Sequence, residues 1–355
     1  MKYTSLFAAA LLVAAFSNVC VAQEYTSVAD VQKNEMDGRD FGIQGEYLWK
    51  AGEKAFAVQV IADGDGKFTL VGFPGGFPGE GWLDGQYRIV FKGEVKGDFV
   101  EFKAAYMENK EDYKKQLPIP EKRKDAVARL DIKAKKLIFP TPGMPDRIAE
   151  PVDRKSVTLG RACPEGGVLL YDGMAPDKTN TDKIARFRKI NEETGAMFSE
   201  FTTKAIDSQK KYYLHCEFML SFMPRAKSQG RSNSGVYLSE CYESQVLDSF
   251  GLRGENNECG GFYQQTRPLF NACYSPLKWQ TYDFILTPAK YDADGKKIAN
   301  ARITSALNGI VIHNDIELSG QTPGCKPEAN EPRGIYFQGH GNNVQFRNIW
   351  VQYLD

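Results

Sequence analysis

Histidine is nearly absent, with three residues in a chain of 355. No two cysteines stand at C-x-x-C spacing. These two scarcities together exclude the usual ligand sets of a structural zinc site. Net charge is missing as well. Lys plus Arg and Asp plus Glu each number 45, which argues against nucleic acid or an anionic membrane as the main partner. Beyond the N-terminus, no apolar run reaches the roughly 20 residues that a helix needs to span a bilayer. Long helix-forming stretches are few. Glycine (33), phenylalanine (22) and tyrosine (17) are plentiful instead, the composition of a β-rich protein with many turns. A chain of this length exceeds one small domain, so two are expected.

The N-terminus has the form of an export signal. Lys2 supplies the positive start, an apolar stretch runs from Leu6 to Phe16, and the small residues around Ala22 offer a cleavage site. Residues 1–22 are therefore expected to be removed, and the protein to reach the periplasm or the cell exterior. Val19 before Cys20 argues against a lipid anchor. Cleavage leaves six cysteines, Cys163, Cys216, Cys241, Cys259, Cys273 and Cys325. An even number in an exported chain suggests disulfides. Cys259 and Cys273, flanking an expected hairpin, are the expected pair.

Residues 23–158 are expected to form a small β domain. Its short strands are separated by turns such as Asp63-Gly64-Asp65-Gly66. The proline-rich stretch Pro140 to Pro151 is expected to be a linker. Residues 159–355 carry about ten strand patterns, including Gly261 to Gln265, with Asn308-Gly309 as a hairpin turn. Many strands and almost no helix point to an all-β protein ending in a two-sheet sandwich or jelly roll.

Within that half, Tyr242 to Ser249 places Glu243 and Gln245 on one face of a strand, with Asp248 just beyond. Charged groups on a sheet face are costly unless the face is wet or the groups are paired. A solvated face of this kind suits sugar hydroxyls or a metal ion. An ordinary outer face of an antiparallel sheet gives the same pattern.

The series Gln229-Gly230-Arg231-Ser232-Asn233-Ser234-Gly235, Tyr242-Glu243-x-Gln245, Asn257-Glu258-Cys259-Gly260-Gly261, Trp279-Gln280-Thr281-Tyr282-Asp283 and Gln338-Gly339-His340-Gly341-Asn342 resembles the 3-keto-disaccharide hydrolase family. The resemblance implies a concanavalin A-like jelly-roll sandwich from about residue 160. The front half is similar to the extra β domain that precedes this module in some planctomycete proteins. The implied activity is cleavage of glycosides already oxidised at carbon 3, by proton removal from C2, elimination at C1 and rehydration. Such a site needs a base, an electrophile for the enediolate and an acid for the leaving group. A divalent metal is a possible electrophile and the only cofactor suggested.

His340 is the expected base, since its glycine neighbours leave the ring reachable and its titration range suits proton transfer. Many relatives carry Asp where this chain has Gly339. Glu243 is expected as a second acid/base or, with Asp248, as a metal ligand. Arg231, Asn233, Gln245, Asp248, Tyr263, Gln264 and Gln338 are expected to bind substrate. A non-catalytic carbohydrate-binding module, a conventional glycosidase and a structural or surface-associated protein whose sandwich only mediates contacts are the alternatives. In a conventional glycosidase, two carboxylates must face each other, but the spacing of Glu243 and Asp248 puts them on opposite faces of a regular strand. His215 and His313 lie inside strand patterns and are expected to be structural. Asp283 and Arg347 are expected either in the site or as an ion pair. Asp292-Ala293-Asp294-Gly295 is expected to be a tight turn.

Overall fold

The computed structural model describes residues 22–108 and 115–354. Apart from Ala22, the expected export signal lies outside them. No helix among the described residues is long and apolar enough to cross a membrane.

The chain begins with two short helices, α1 (Val28–Gln32) and α2 (Glu35–Ile43). Neither is strongly periodic. Each is started by a cap, Ser27 Oγ accepting from Asp30 N–H at 3.1 Å and Asn34 Oδ1 from Asp37 N–H at 3.0 Å. Eight strands follow: β1 (Gly45–Ala51), β2 (Lys54–Gly64), β3 (Lys67–Pro74), β4 (Arg88–Lys96), β5 (Phe99–Glu108), β6 (Val127–Asp131), β7 (Lys136–Phe139) and β8 (Arg147–Val152). Each pairs antiparallel with the next, and β8 returns to β1, so the sheet closes into an up-and-down barrel. The stretch expected to be a linker therefore carries the closing strand. Pro140, Pro142 and Pro145 occupy its turn, and Pro151 sits near the strand end. Tyr47, Val58, Val60, Phe68, Leu70, Phe102 and Leu130 are buried in the barrel core.

The second half is a sandwich. Its strands are β9 (Val168–Tyr171), β10 (Ile184–Phe187), β11 (Phe201–Thr203), β12 (Tyr212–Met219), β13 (Ser234–Leu238), β14 (Tyr242–Val246), β15 (Trp279–Thr287), β16 (Arg302–Leu307), β17 (Ile310–Glu317), β18 (Tyr336–Phe337) and β19 (Gln345–Tyr353). The larger sheet runs β9-β19-β12-β15-β16-β17 and the smaller one β10-β11-β18-β13-β14. Alternate residues such as Leu214, Cys216 and Phe218, or Val236 and Leu238, meet in one core between them. This is the jelly-roll arrangement. The Asn308-Gly309 hairpin and the Asp292 turn form as expected. Gly261 to Gln265 does not form a strand. Phe262 instead bridges Thr266 across a tight turn.

The barrel packs firmly on the sandwich. Residues Ala57 to Ala62 of β2 are almost continuously buried, because both faces of the strand are covered. Phe250 of the sandwich packs with Ile61, Val71 and Phe73 on the barrel wall, a burial worth about 2 to 3 kcal/mol. Residues 153–161 then run along the outer face of the larger sheet. Thr158 Oγ1 donates to Asp283 Oδ2 at 2.7 Å, and the Gly160 amide donates to Glu217 Oε1 at 2.6 Å.

All six cysteines among the described residues are thiols. Cys259 and Cys273 do meet as side chains. Each has a further partner, the Tyr282 hydroxyl 3.3 Å from Cys259 Sγ and the Tyr274 carbonyl 3.4 Å from Cys273 Sγ.

Candidate functional site

The hairpin β13–β14 turns at Ser239 and Glu240, both at positive φ (53° and 52°). This tight turn fixes the register, and register decides which side chains share a face. Val236, Leu238, Tyr242, Ser244 and Val246 face the core. Gly235, Tyr237, Glu243 and Gln245 face the other way.

Following the pairing across the smaller sheet gives one continuous row. Arg186 opposes Thr202, Thr202 opposes Tyr336, Tyr336 opposes Tyr237, and Tyr237 opposes Glu243. Arg186 Nε donates to Thr202 Oγ1 at 3.2 Å, and its guanidinium lies 5.5 Å from the Tyr336 ring centre. An open groove of about 650 Å³ lies beside Arg186 and Thr202, walled by Glu240, Lys326 and Arg333.

Glu243 is 4% exposed. Burial raises its carboxyl to about 7, and a hydrogen bond with Tyr237 offsets only part of that rise. No cation pairs with it among the described residues. Gly235 makes the space, since a Cβ there would lie 2.6 Å from Glu243 Oε1. The Gln245 amide satisfies its surroundings with its nitrogen 3.1 Å from Glu243 Oε1 and 3.2 Å from the Ser234 carbonyl. Gln338 Nε2 donates to the Tyr237 hydroxyl at 2.6 Å. That contact leaves the hydroxyl proton free to point at Glu243 or at a ligand. Gln338 Oε1 is buried and has no partner, so a ligand hydroxyl would satisfy it.

His340 lies on the loop that follows Gln338. The loop is tied at both sides, Gln338 N–H donating to the Gly235 carbonyl at 2.9 Å and Asn233 N–H to Asn342 Oδ1 at 2.8 Å. The imidazole is exposed and has no hydrogen-bond partner among the described residues. Gly339 is sterically required. A Cβ there would lie 2.7 Å from Glu200 Cβ, so Glu200 occupies the space an aspartate would need.

The structure thus gathers Glu243, Gln245, Gln338 and Asn233, with His340 on the adjoining loop. It takes Arg231 and Asp248 elsewhere. Arg231 Nε binds Asp248 Oδ2 at 2.7 Å, while its Nη2 reaches the Ala62 carbonyl of the barrel at 3.3 Å. Both side chains are buried at the domain junction, where the ion pair consumes their hydrogen-bonding capacity. Neither contacts the row. Asp248 also cannot join Glu243 around one cation. The neighbours of Glu243 are a phenol and amides, and no group of three or more His, Cys, Asp or Glu suited to a metal occurs among the described residues. This donor set does not fit a divalent metal. Tyr263 and Gln264 sit on the Phe262 turn. The Tyr263 amide donates to the Glu243 carbonyl at 3.1 Å, so it meets the backbone of β14 and not its face. Gln264 is exposed at φ 59°.

Tyr237, Tyr336, Thr202 and Arg186 escaped the sequence reading. Only Tyr237 had a usable signal, because the tight turn at Ser239-Glu240 sets it opposite Glu243.

A second polar cluster occupies the outer face of the larger sheet. His215 Nδ1 meets Asp283 Oδ1 at 2.7 Å, and Arg347 Nε meets Glu217 Oε2 at 2.8 Å. Arg347 thus pairs with Glu217 and not with Asp283. His313 is enclosed between Ser305 and the Arg267 carbonyl, and burial holds its pKa at about 4.

Comparison with known proteins gives a family match. The family described as 3-keto-alpha-glucoside-1,2-lyase-like domain matches residues 172–352. No curated protein matches. Two crystal structures from Parabacteroides distasonis ATCC 8503, each described as a candidate glycosyl hydrolase, are similar. One is 26% identical, covers 58% of this chain and 93% of its own, and has a TM-score of 0.48. The other is 15% identical, covers 57% and 100%, and has a TM-score of 0.39. The family match spans the row from Arg186 to Glu243 and the His340 loop alike. The chain belongs to the family of 3-keto-alpha-glucoside-1,2-lyase-like domains.

Proposed function

We propose that this protein is a carbohydrate-active enzyme that cleaves 3-keto-glycosides by elimination and rehydration, with Glu243 as the base. The observation that carries this reading is the Glu243 carboxyl, buried without a cation and raised to about 7. A base of that pKa is ionised often enough near neutrality and still holds a proton well once it has one.

The C3 ketone acidifies the hydrogen on C2. Glu243 takes that proton, and the electron pair passes into an enediolate. The Tyr237 hydroxyl, polarised by Gln338, stands beside Glu243 to donate to the developing oxyanion. The enediolate then expels the glycosidic oxygen from C1, and that oxygen gains a proton. His340, exposed on the rim, suits this donation to a leaving group that departs toward solvent. Water next adds across the C1–C2 double bond. The hydroxyl goes to C1, the water's other proton restores His340, and Glu243 returns its proton to C2. Gln338 Oε1 accepts from a sugar hydroxyl. This assignment gives Glu243 the role first expected of His340.

Export to the periplasm or cell exterior, and closure of Cys259–Cys273 there as a disulfide, belong to the same proposal. They rest on the N-terminal sequence and on the meeting of the two thiols. Thiol titration of protein recovered from the exported fraction tests both.

The central test is turnover of 3-keto-trehalose beside trehalose, with substrate deuterated at C2. Sugar release from the keto form alone, a primary isotope effect and loss of about 10³-fold in kcat in Glu243→Gln are expected. Equal cleavage of trehalose, or full activity of Glu243→Gln, overturns the reading.

A further inference from the structure

The barrel has two unlike ends. At one, α2 acts as a plug. Asp40 Oδ2 accepts from Gly66 N–H at 2.8 Å, and Phe41 and Ile43 pack against the barrel core. At the other end lies a cavity of about 880 Å³. It is bounded by the ends of β1, β3 and β7 and by the starts of β2, β4 and β8. An eight-stranded barrel is the smallest closed sheet able to hold one small ligand, and this volume falls in the range of small-molecule sites.

The lining is apolar and aromatic. Trp49, Phe56, Ile89, Phe91, Ala126 and Phe139 form the wall. Phe56 and Phe139 meet edge to face at 5.5 Å. Gly72 leaves the room for this, since a Cβ there would lie 2.4 Å from the Phe56 ring. The rim is different in kind. Lys54, Arg123 and Arg147 stand on it against a single acid, Asp125. The Arg147 guanidinium lies 5.2 Å from the centre of the Trp49 ring. Neither Arg123 nor Arg147 has a carboxylate partner among the described residues. Half-covered aromatic surface is retained here although a filled core would be more stable. Guanidinium groups at the edge of such a surface are suited to a carboxylate.

We propose that the barrel mouth is a binding site for a small amphipathic carboxylate, its ring or chain in the aromatic cup and its anionic end on Arg147 and Arg123. This site is separate from the Glu243 row and does not depend on the activity proposed there.

The test is calorimetric titration of the full chain with 4-phenylbutyrate and with its neutral amide, 4-phenylbutanamide. The acid should bind at least about tenfold more tightly than the amide, as a charge-assisted contact requires. Arg147→Gln should erase most of that preference, and Ala126→Leu, which fills the cup, should weaken both ligands. A thermal melt checks that Ala126→Leu is folded. Trp49 supplies an independent reading. Ligand should change the tryptophan emission of the wild type but not of Trp49→Phe. The proposal is overturned by equal affinity for acid and amide, by no binding of either at millimolar concentration, or by binding that leaves Trp49 emission and the Ala126→Leu affinity unchanged.

Discussion

Glu243 and Glu217 are the same residue type on the two sheets of one sandwich, 4% and 0% exposed, yet their carboxyls are driven in opposite directions. Burial is the largest influence on both, and it acts upward on both. At Glu243 little opposes it, and the group settles at about 7. At Glu217, the His215 imidazole 3.9 Å away, hydrogen bonds from Asn348 and the Gly160 amide, and the charge of Arg347 overcome burial and hold it at about 2. Burial alone therefore says nothing about role. The donor set does. A carboxylate surrounded by donors is fixed as an anion and fastens structure. One with few donors and no cation beside it can exchange a proton near neutrality.

The sharpest way to break this contrast is to neutralise each group in turn. Glu243→Gln should cost about 10³-fold in kcat on a 3-keto-glycoside and leave the melting temperature unchanged or higher. Glu217→Gln should do the reverse. It strands Arg347, so a loss of about 3 kcal/mol in denaturant unfolding is expected, with kcat of the folded enzyme little changed.

Titration sharpens the same contrast, because the two groups link stability to pH with opposite sign. The folded pKa of Glu243 lies above its unfolded value, so its neutral form favours folding at low pH. That contribution is lost as pH rises from about 4.5 to about 7, a change on the order of 3 kcal/mol. Glu243→Gln should therefore gain on the wild type in unfolding experiments as pH rises through that window, while wild-type kcat climbs toward a plateau above pH 7. Glu217 has a depressed pKa. Its contribution is present above about 4.5 and is lost as pH falls toward about 2.

Smaller effects follow from the packing around Glu243. Gly235→Ala puts a Cβ 2.6 Å from Oε1, and a displaced base should lower kcat by about tenfold, with misplacement as the cause. Gln338→Leu removes the unpartnered acceptor as well as the donor to Tyr237. A rise of about threefold to tenfold in KM is expected in steady-state kinetics, the size of one lost neutral hydrogen bond.

Much of this was readable from the chain. Period-two alternation located most strands of the sandwich, and it put Glu243 and Gln245 on one face. Short-range rules could not see what distant partners decide. Arg231 and Asp248 look like free site groups in sequence, and only the Ala62 carbonyl of the barrel reveals that they are occupied at the domain junction. α1 and α2 are too short to show a period and exist because of their caps and their packing on the barrel. β8 was hidden by prolines that belong to its turn. The row from Arg186 to Glu243 draws on five strands from three separate stretches of chain, so no local pattern could announce it.

The path of residues 153–161 along the larger sheet bears on how portable the sandwich is. The family match begins at residue 172, but Glu217 takes a proton donor from Gly160, and Asp283 takes one from Thr158. A module excised at 172 would leave two buried anions short of their partners and bare the sheet beneath them. In this protein the sandwich borrows its outer lining from the segment that leads into it, so the smallest piece able to fold faithfully begins before residue 158 and is longer than the stretch that the family matches.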